Sequence, residues 1–237
     1  MLMCIADVLS ASEVAHTVSQ LGKAQFVDGK LTAGWHAKLV KHNLQAQAQA
    51  SKPNLLPVLQ QQVEQALRRH LVFDMAVRPK TIRPALFSRY EPGMSYGTHV
   101  DNAVMGRDDA GAPNHPAGHH PMRSDVSLTL FLSDPATYTG GELVIESTQG
   151  EQAFKLPAGA MIIYPSSTLH RVEPVTQGVR LAAVTWVQSL VRDMADREIL
   201  FDLDTARKAV FAQHGKTAEF DLLSKSLANL LRKWVDL

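Results

Sequence analysis

The chain of 237 residues has a single cysteine, Cys4. No intrachain disulfide can form, so a reducing compartment, the cytoplasm, is the expectation. Charge of either sign is equally short in excess, with 24 Lys and Arg against 23 Asp and Glu. That balance excludes a broad basic field for nucleic acid and a strongly acidic tail. No apolar run approaches the roughly 20 residues of a membrane span. Neither a nucleic acid nor a membrane is therefore an expected partner. The opening MLMCIADVLSASE has no basic stretch and meets Asp7 and Glu13 early, so a secretory signal is not expected. Internal repeats are absent as well. What is present is ordinary for a globular chain, 45% hydrophobic and 20% charged residues. Such a chain buries a core without disulfides or metal.

The first third, residues 1–77, reads as a helical support with short extended pieces. Ser10 and Glu13 have capping-box spacing, which predicts a helix through about Leu21. Asp28–Gly29 marks a turn, and NLQAQAQAS at 43–51 reads as a helix end or loop. From Pro53 to about His70, Leu55, Leu56, Leu59, Val63 and Leu67 recur at helical spacing. The texture changes near Arg78. From 78 to 188, short β-like runs alternate with turn residues: LFSRY, SLTLFL, ELVIES, QAFKL, GAMIIYP, TLHRVEPV and RLAAVTWVQ. Many short strands of this kind predict an antiparallel sandwich or open barrel. DPATYTGGE reads as a tight loop, and a long turn-rich segment lies at roughly 102–124. Helical text returns over 189–237. Leu190, Met194, Ile199, Leu203, Ala206 and Val210 carry one stretch, with Gly215 as its stop. Phe220, Leu223, Leu227, Leu230, Leu231 and Trp234 fall on one face of the last helix. That face is a core surface or a contact for self-association.

Ten histidines offer chemistry. His99–Val100–Asp101 is an H-x-D triplet, yet composition alone supplies roughly 0.6 such triplets. Its context gives it weight. On an extended segment His99 and Asp101 share a face, because side chains alternate. A second histidine from a distant strand would complete a two-histidine, one-carboxylate set, which leaves half of an octahedral ion open. His170, in TLHRV, is the best candidate. Arg180 stands ten residues later, on the strand face of Ala182, Val184 and Trp186. A buried arginine suits bidentate capture of a carboxylate. On spacing alone the same three ligands also read as a hydrogen-bonded structural cluster. His115, His119 and His120 lie in the turn-rich loop and read as a substrate lid, a second metal site or inert surface. His16, His36, His42, His70 and His214 are assigned no role.

The order H-x-D, distal His, then Arg resembles the Fe(II)- and 2-oxoglutarate-dependent dioxygenases of the prolyl-4-hydroxylase type. RYEPGMSYGTHVDN, SLTLFLSDPATYTGGELVIE and KLPAGAMIIYPSSTLHRVEPVTQGVRLAAVTWVQSLVRD resemble the bacterial PKHD-type hydroxylases closely, and the resemblance covers nearly the whole chain. It implies a mainly β fold, a double-stranded β-helix or jelly-roll core with N-terminal helices and a C-terminal helical appendage. His99, Asp101 and His170 would be the iron ligands. Arg180 would hold the distal carboxylate of 2-oxoglutarate, with Tyr90, Tyr96 and Trp186 lining the cosubstrate and iron site. The implied reaction hydroxylates a small-molecule or peptidyl substrate, with succinate and CO2 as coproducts and L-ascorbate as reductant. Asp101 favours hydroxylation, because halogenating relatives give up the carboxylate ligand. Phe131 departs from the pattern, since it stands near a position where some relatives carry a tyrosine. A link to iron or siderophore uptake is a further implication. The other readings are a non-catalytic iron sensor and a cupin-like metalloenzyme that does not use 2-oxoglutarate.

Overall fold

The structure is a computed structural model that describes residues 1–106 and 121–237. The loop histidines His115, His119 and His120 lie outside the described residues.

Helix α1 spans Ala11–Leu21. The Ser10 side chain accepts from the Glu13 amide, and the Glu13 carboxylate accepts from the Ser10 amide, so the predicted capping box forms. Helix α2, Leu55–Arg69, buries Leu56, Leu59, Val63, Ala66 and Leu67, nearly the apolar set that the spacing predicts. A short α3, Leu71–Val77, follows and ends at Arg78, whose left-handed backbone (φ 49°) stops the helix before Pro79.

Two antiparallel sheets form the body. The larger has the order Met3–Ile5, Met161–Pro165, Val126–Phe131, Arg180–Ser189, Leu86–Tyr90, Leu44–Gln47, Gln25–Asp28, with Pro79–Ile82 also paired to Arg180–Ser189. The smaller runs Gly150–Phe154, Leu143–Ser147, His170–Val172, Ser95–His99, Lys41–His42. Tyr90, Phe131, Ile162 and Tyr164 of the large sheet pack with Leu143, Ile145 and Val172 of the small one, so the sheets face each other as a jelly-roll. On its other face the large sheet packs Leu128, Leu130, Ala183 and Val187 against α2 and α3. Val126–Phe131 is buried along its whole length because both faces are covered.

Three corrections follow. The 43–51 segment is no helix end: Leu44–Gln47 is a strand between Gln25–Asp28 and Leu86–Tyr90. Its Gln and Ala residues are weak strand formers, and the two flanking strands impose the pairing. TLHRVEPV breaks into two strands, His170–Val172 and Val175–Gly178, at Glu173–Pro174. The DPATYTGGE loop contributes Tyr138–Gly140, which pairs with Val175–Gly178.

Helix α4, Met194–His214, ends at Gly215 (φ 68°), and α5, Ala218–Trp234, packs back on it. The inward face of α4 is Arg197, Leu200 and Asp204, whereas Met194 and Ile199 are exposed. Hydrogen bonds make this polar face tolerable: Arg197 donates to the Val191 carbonyl, and Asp204 accepts from Arg78 and Arg207. The apolar face of α5 packs inside the chain, Leu227, Leu230, Leu231 and Trp234 meeting Val191, Leu200 and Leu203. No helix among the described residues is long and apolar enough to cross a membrane.

Candidate active site

His99 ends the Ser95–His99 strand, and His170 begins the strand beside it, the two being register partners. Pairing alone brings residues 71 positions apart into ring contact, with centroids 4.2 Å apart. Asp101 follows two residues after His99 and places Oδ2 3.8 Å from His170 Nε2. The three donor atoms lie within 4.8 Å of one another.

Each ligand is oriented from behind. The Nδ1 atoms of His99 and His170 face the Gly97 and Thr168 carbonyls at 2.9 and 3.0 Å. That arrangement puts the proton on Nδ1 and turns Nε2, with its lone pair, inward. Ser127 donates to Asp101 Oδ2 at 2.6 Å, and the Ser166 hydroxyl lies 2.8 Å from Ser127 Oγ. Tyr96 stacks on the His99 ring at 3.7 Å, and the Tyr164 ring meets His170 edge-on at 5.0 Å. Burial, reinforced by the nearby His170, lowers the His99 imidazole to about 4, so at neutral pH it is an uncharged ligand.

The triad opens on a cavity of about 190 Å³ between the sheets. Arg180 starts its strand opposite Tyr90 and reaches into this cavity at 1% exposure. Its guanidinium lies 5.1 Å from the Tyr90 ring centroid and 5.4 Å from that of Phe131. Its Nε has no hydrogen-bond partner among the described residues. Gly141 (φ 69°) lets the side chain pass, since a Cβ there would stand 3.0 Å from Arg180 Cδ. Tyr90 and Tyr138 are both buried, and burial raises both hydroxyls while the nearby Arg180 opposes the rise. The Tyr138 hydroxyl lies beside the Arg180 guanidinium. Trp186, half-buried, lines the cavity farther along the same strand face.

The structure thus brings His99, Asp101, His170, Arg180, Tyr90, Tyr96 and Trp186 to one cavity. Ser127 and Tyr164 were not singled out by sequence. Ser127 had a signal, since it alternates with Leu128 on a strand whose inner positions are Ser127, Thr129 and Phe131. Lys41 and Asn43 also line the cavity, and no motif marks them.

The donor set fits Fe(II): two imidazoles and one carboxylate, their ligand atoms close together on the wall of the cavity. A jelly-roll carrying this triad at its mouth defines the class, an iron- and 2-oxoglutarate-dependent oxygenase. A model of the 2OG-Fe(II) oxygenase superfamily matches residues 85–188, and one of the PKHD-type hydroxylase C-terminal domain matches 195–236. The chain is 55% identical over 237 residues to a PKHD-type hydroxylase of Synechococcus sp. (strain JA-3-3Ab), covering all of both chains. It is 56% identical over 236 residues to one of Gloeothece citriformis, again at full coverage of both. Among solved structures, a 2OG-Fe(II) oxygenase family oxidoreductase from Burkholderia pseudomallei shares the fold. It aligns at TM-score 0.54 and 16% identity, over 78% of this chain and 82% of that one. A Trichoplax adhaerens prolyl hydroxylase aligns at TM-score 0.52 and 15% identity, over 84% and 86%. The chain belongs to the PKHD-type hydroxylase family and is an Fe(II)- and 2-oxoglutarate-dependent hydroxylase.

Proposed function

We propose that the enzyme hydroxylates a C–H bond of a small-molecule or peptidyl substrate in the cytoplasm, with Arg180 as the anchor for the distal carboxylate of 2-oxoglutarate. The observation that carries this reading is the isolation of Arg180. Its side chain is 1% exposed, its Nε is unpartnered, and it forms no salt bridge among the described residues. An unpaired buried charge is costly, so a guanidinium in that setting is built for an incoming anion. The buried Tyr138 hydroxyl beside Arg180 is a neutral donor close by. Tyr90 and Phe131 hold the guanidinium plane, Tyr96 packs against His99, and Trp186 walls the outer part.

Bound Fe(II) and 2-oxoglutarate supply the oxidising chemistry, which leaves succinate and CO2 as coproducts. His99, Asp101 and His170 would hold the metal. The carbonyls of Gly97 and Thr168 and the Ser127 hydroxyl keep those ligands aimed. L-ascorbate is the reductant that keeps the iron ferrous. The iron- or siderophore-uptake link rests on the family resemblance; its test is iron accumulation in a strain lacking the protein.

The decisive experiment is anaerobic titration with Fe(II) and then 2-oxoglutarate, followed by visible absorption. A metal-to-ligand charge-transfer band is expected in wild type. His99→Ala should lose it, and Arg180→Met should weaken 2-oxoglutarate binding by about 30-fold or more, the value of a buried charge pair. Metal binding without a band would favour the cupin-like enzyme without a keto acid, or the iron sensor. Succinate formation with O2 uptake separates turnover from silent metal binding.

A further inference from the structure

Residues 41–47 cross from one sheet to the other along a side of the cavity. Lys41 pairs with Tyr96 in the small sheet, and Gln45 pairs with Ser88 in the large one. Side chains alternate across this passage, so Lys41, Asn43 and Gln45 are all buried while His42 is exposed. All three line the cavity that holds the triad and Arg180.

Gln45 is satisfied by Thr32 and Ser88. Asn43 is not. It is 3% exposed, and among the described residues neither its amide nitrogen nor its carbonyl oxygen has a hydrogen-bond partner. The Tyr90 hydroxyl is near enough to feel it but falls short of hydrogen-bond geometry. Gly29 backs the amide closely, since a Cβ there would strike Asn43 Oδ1. Lys41 is 5% exposed and lies 5.2 Å above the Tyr96 ring. Among the described residues its single hydrogen bond goes to Thr32 at 3.0 Å, although an ammonium has three donors. Buried polar groups left open in this way are uncommon, and here two of them share one cavity wall.

The charge of the cavity points to what fills them. Among the described residues its lining carries Lys41, Arg83 and Arg180 against one carboxylate, Asp101. Fe(II) and doubly ionised 2-oxoglutarate cancel each other. The loaded site therefore keeps a positive excess, whether or not Arg83 is counted. Arg180 is assigned to the cosubstrate, which leaves Lys41 as the inner cation facing the remaining space.

We propose that Lys41 and Asn43 form the recognition wall for the hydroxylation substrate, and that this substrate carries a carboxylate beside an amide or a similar donor–acceptor group. The ammonium takes the carboxylate, and the carboxamide pairs with its polar neighbour. Because the wall adjoins His99 through Tyr96, the oxidised carbon lies close to that anionic end. The assignment rests on the reading of Arg180 as the cosubstrate anchor.

The test uses the full chain loaded with Zn(II) and 2-oxoglutarate, which fills both sites without turnover. Ligand-observed NMR titration compares N-acetylglycine with its neutral counterpart, N-acetylglycinamide. Wild type should bind the carboxylate at least about tenfold more tightly. Lys41→Met should abolish that preference, Lys41→Arg should retain most of it, and Asn43→Leu should weaken both probes. Circular dichroism checks that each variant is folded. Calorimetry follows 2-oxoglutarate separately and should give affinities within about twofold of wild type for the Lys41 and Asn43 variants. Wild type that fails to distinguish the probes, or binds neither at millimolar concentration, overturns the proposal. So does a folded Lys41→Met that keeps the preference, or one that loses 2-oxoglutarate instead. Should Arg180→Met keep its cosubstrate affinity, the cosubstrate reading fails in its own measurement.

Discussion

The two faces of the large sheet are built from the same strands and behave as opposites. Along Val126–Phe131, Val126, Leu128 and Leu130 point to the helices, and Ser127, Thr129 and Phe131 point to the small sheet. Along Arg180–Ser189, Ala183 and Val187 face the helices, whereas Arg180, Val184 and Trp186 face the cavity. The helix face is apolar and closed. The cavity face holds the Arg180 guanidinium, whose Nε has no hydrogen-bond partner among the described residues, and the Lys41 ammonium and the Asn43 carboxamide line the same cavity from outside the large sheet. Apolar burial on one face, worth about 25 cal/mol per Å², offsets unfilled polar groups on the other. A strand with period-two alternation can thus serve stability and chemistry at once without compromising either.

The largest expected effect breaks the chemical face alone. His99→Ala or Asp101→Ala removes a metal ligand, and succinate formation should fall by about a thousandfold or more, since metal chemistry supplies several kcal/mol. Thermal stability of the metal-free protein should stay within about 1 kcal/mol of wild type, because each deletion also removes a buried polar group. A collapse of the fold in His99→Ala would show that the cavity face contributes to the core. The reverse experiment targets Leu130, which is fully buried on the helix face. Leu130→Ala should lose about 2–5 kcal/mol in denaturant unfolding. The folded fraction should still bind Fe(II) with wild-type affinity. A matching loss of metal affinity would join the two faces into one cooperative unit.

The separation also explains what could be read in advance. Repeating local signals were legible: the Ser10–Glu13 box, the α2 stripe and the alternation of Arg180–Ser189 appear where their periods place them. The triad was legible because H-x-D, His170 and Arg180 form an ordered motif, and strand register then brings His170 opposite His99. Leu44–Gln47 was not legible. Its Leu-Gln-Ala-Gln text has no strong preference, and its neighbours in the sheet are 16 or more residues away. Lys41 and Asn43 share that limit, since their importance arises from the crossing between sheets rather than from any local pattern. On α4 the periodicity marked Met194 and Ile199, but backbone hydrogen bonds let Arg197 be buried and ion pairs let Asp204 be buried instead.

A smaller effect would sharpen the boundary between the faces. Ser127 lies between helix-facing residues, yet its hydroxyl supports Asp101. Ser127→Ala should weaken Fe(II) binding by about 10- to 100-fold through loss of ligand orientation. Unfolding free energy should change by no more than about 1 kcal/mol. Isothermal titration and urea melts on the same variant compare the two. Equal losses in both would mean that the hydroxyl holds the strand rather than the ligand.

The last and smallest effect concerns protons on the cavity face. Burial and the neighbouring His170 bring His99 down to about 4, against an ordinary 6.5. The unfolded chain then binds more protons than the folded chain between those values. The stability of the metal-free protein is therefore fully present above about pH 6.5 and falls as the pH drops toward 4. Urea melts of wild type and His99→Ala between about pH 7 and pH 5 isolate this contribution, because the carboxylates of the rest of the chain titrate in both. Wild type should lose more stability than the variant over that interval. Identical slopes would mean that His99 is protonated as easily in the folded chain as in the unfolded one. The cavity face would then be wetter at the triad than its geometry implies, and the contrast with the closed helix face would weaken there first.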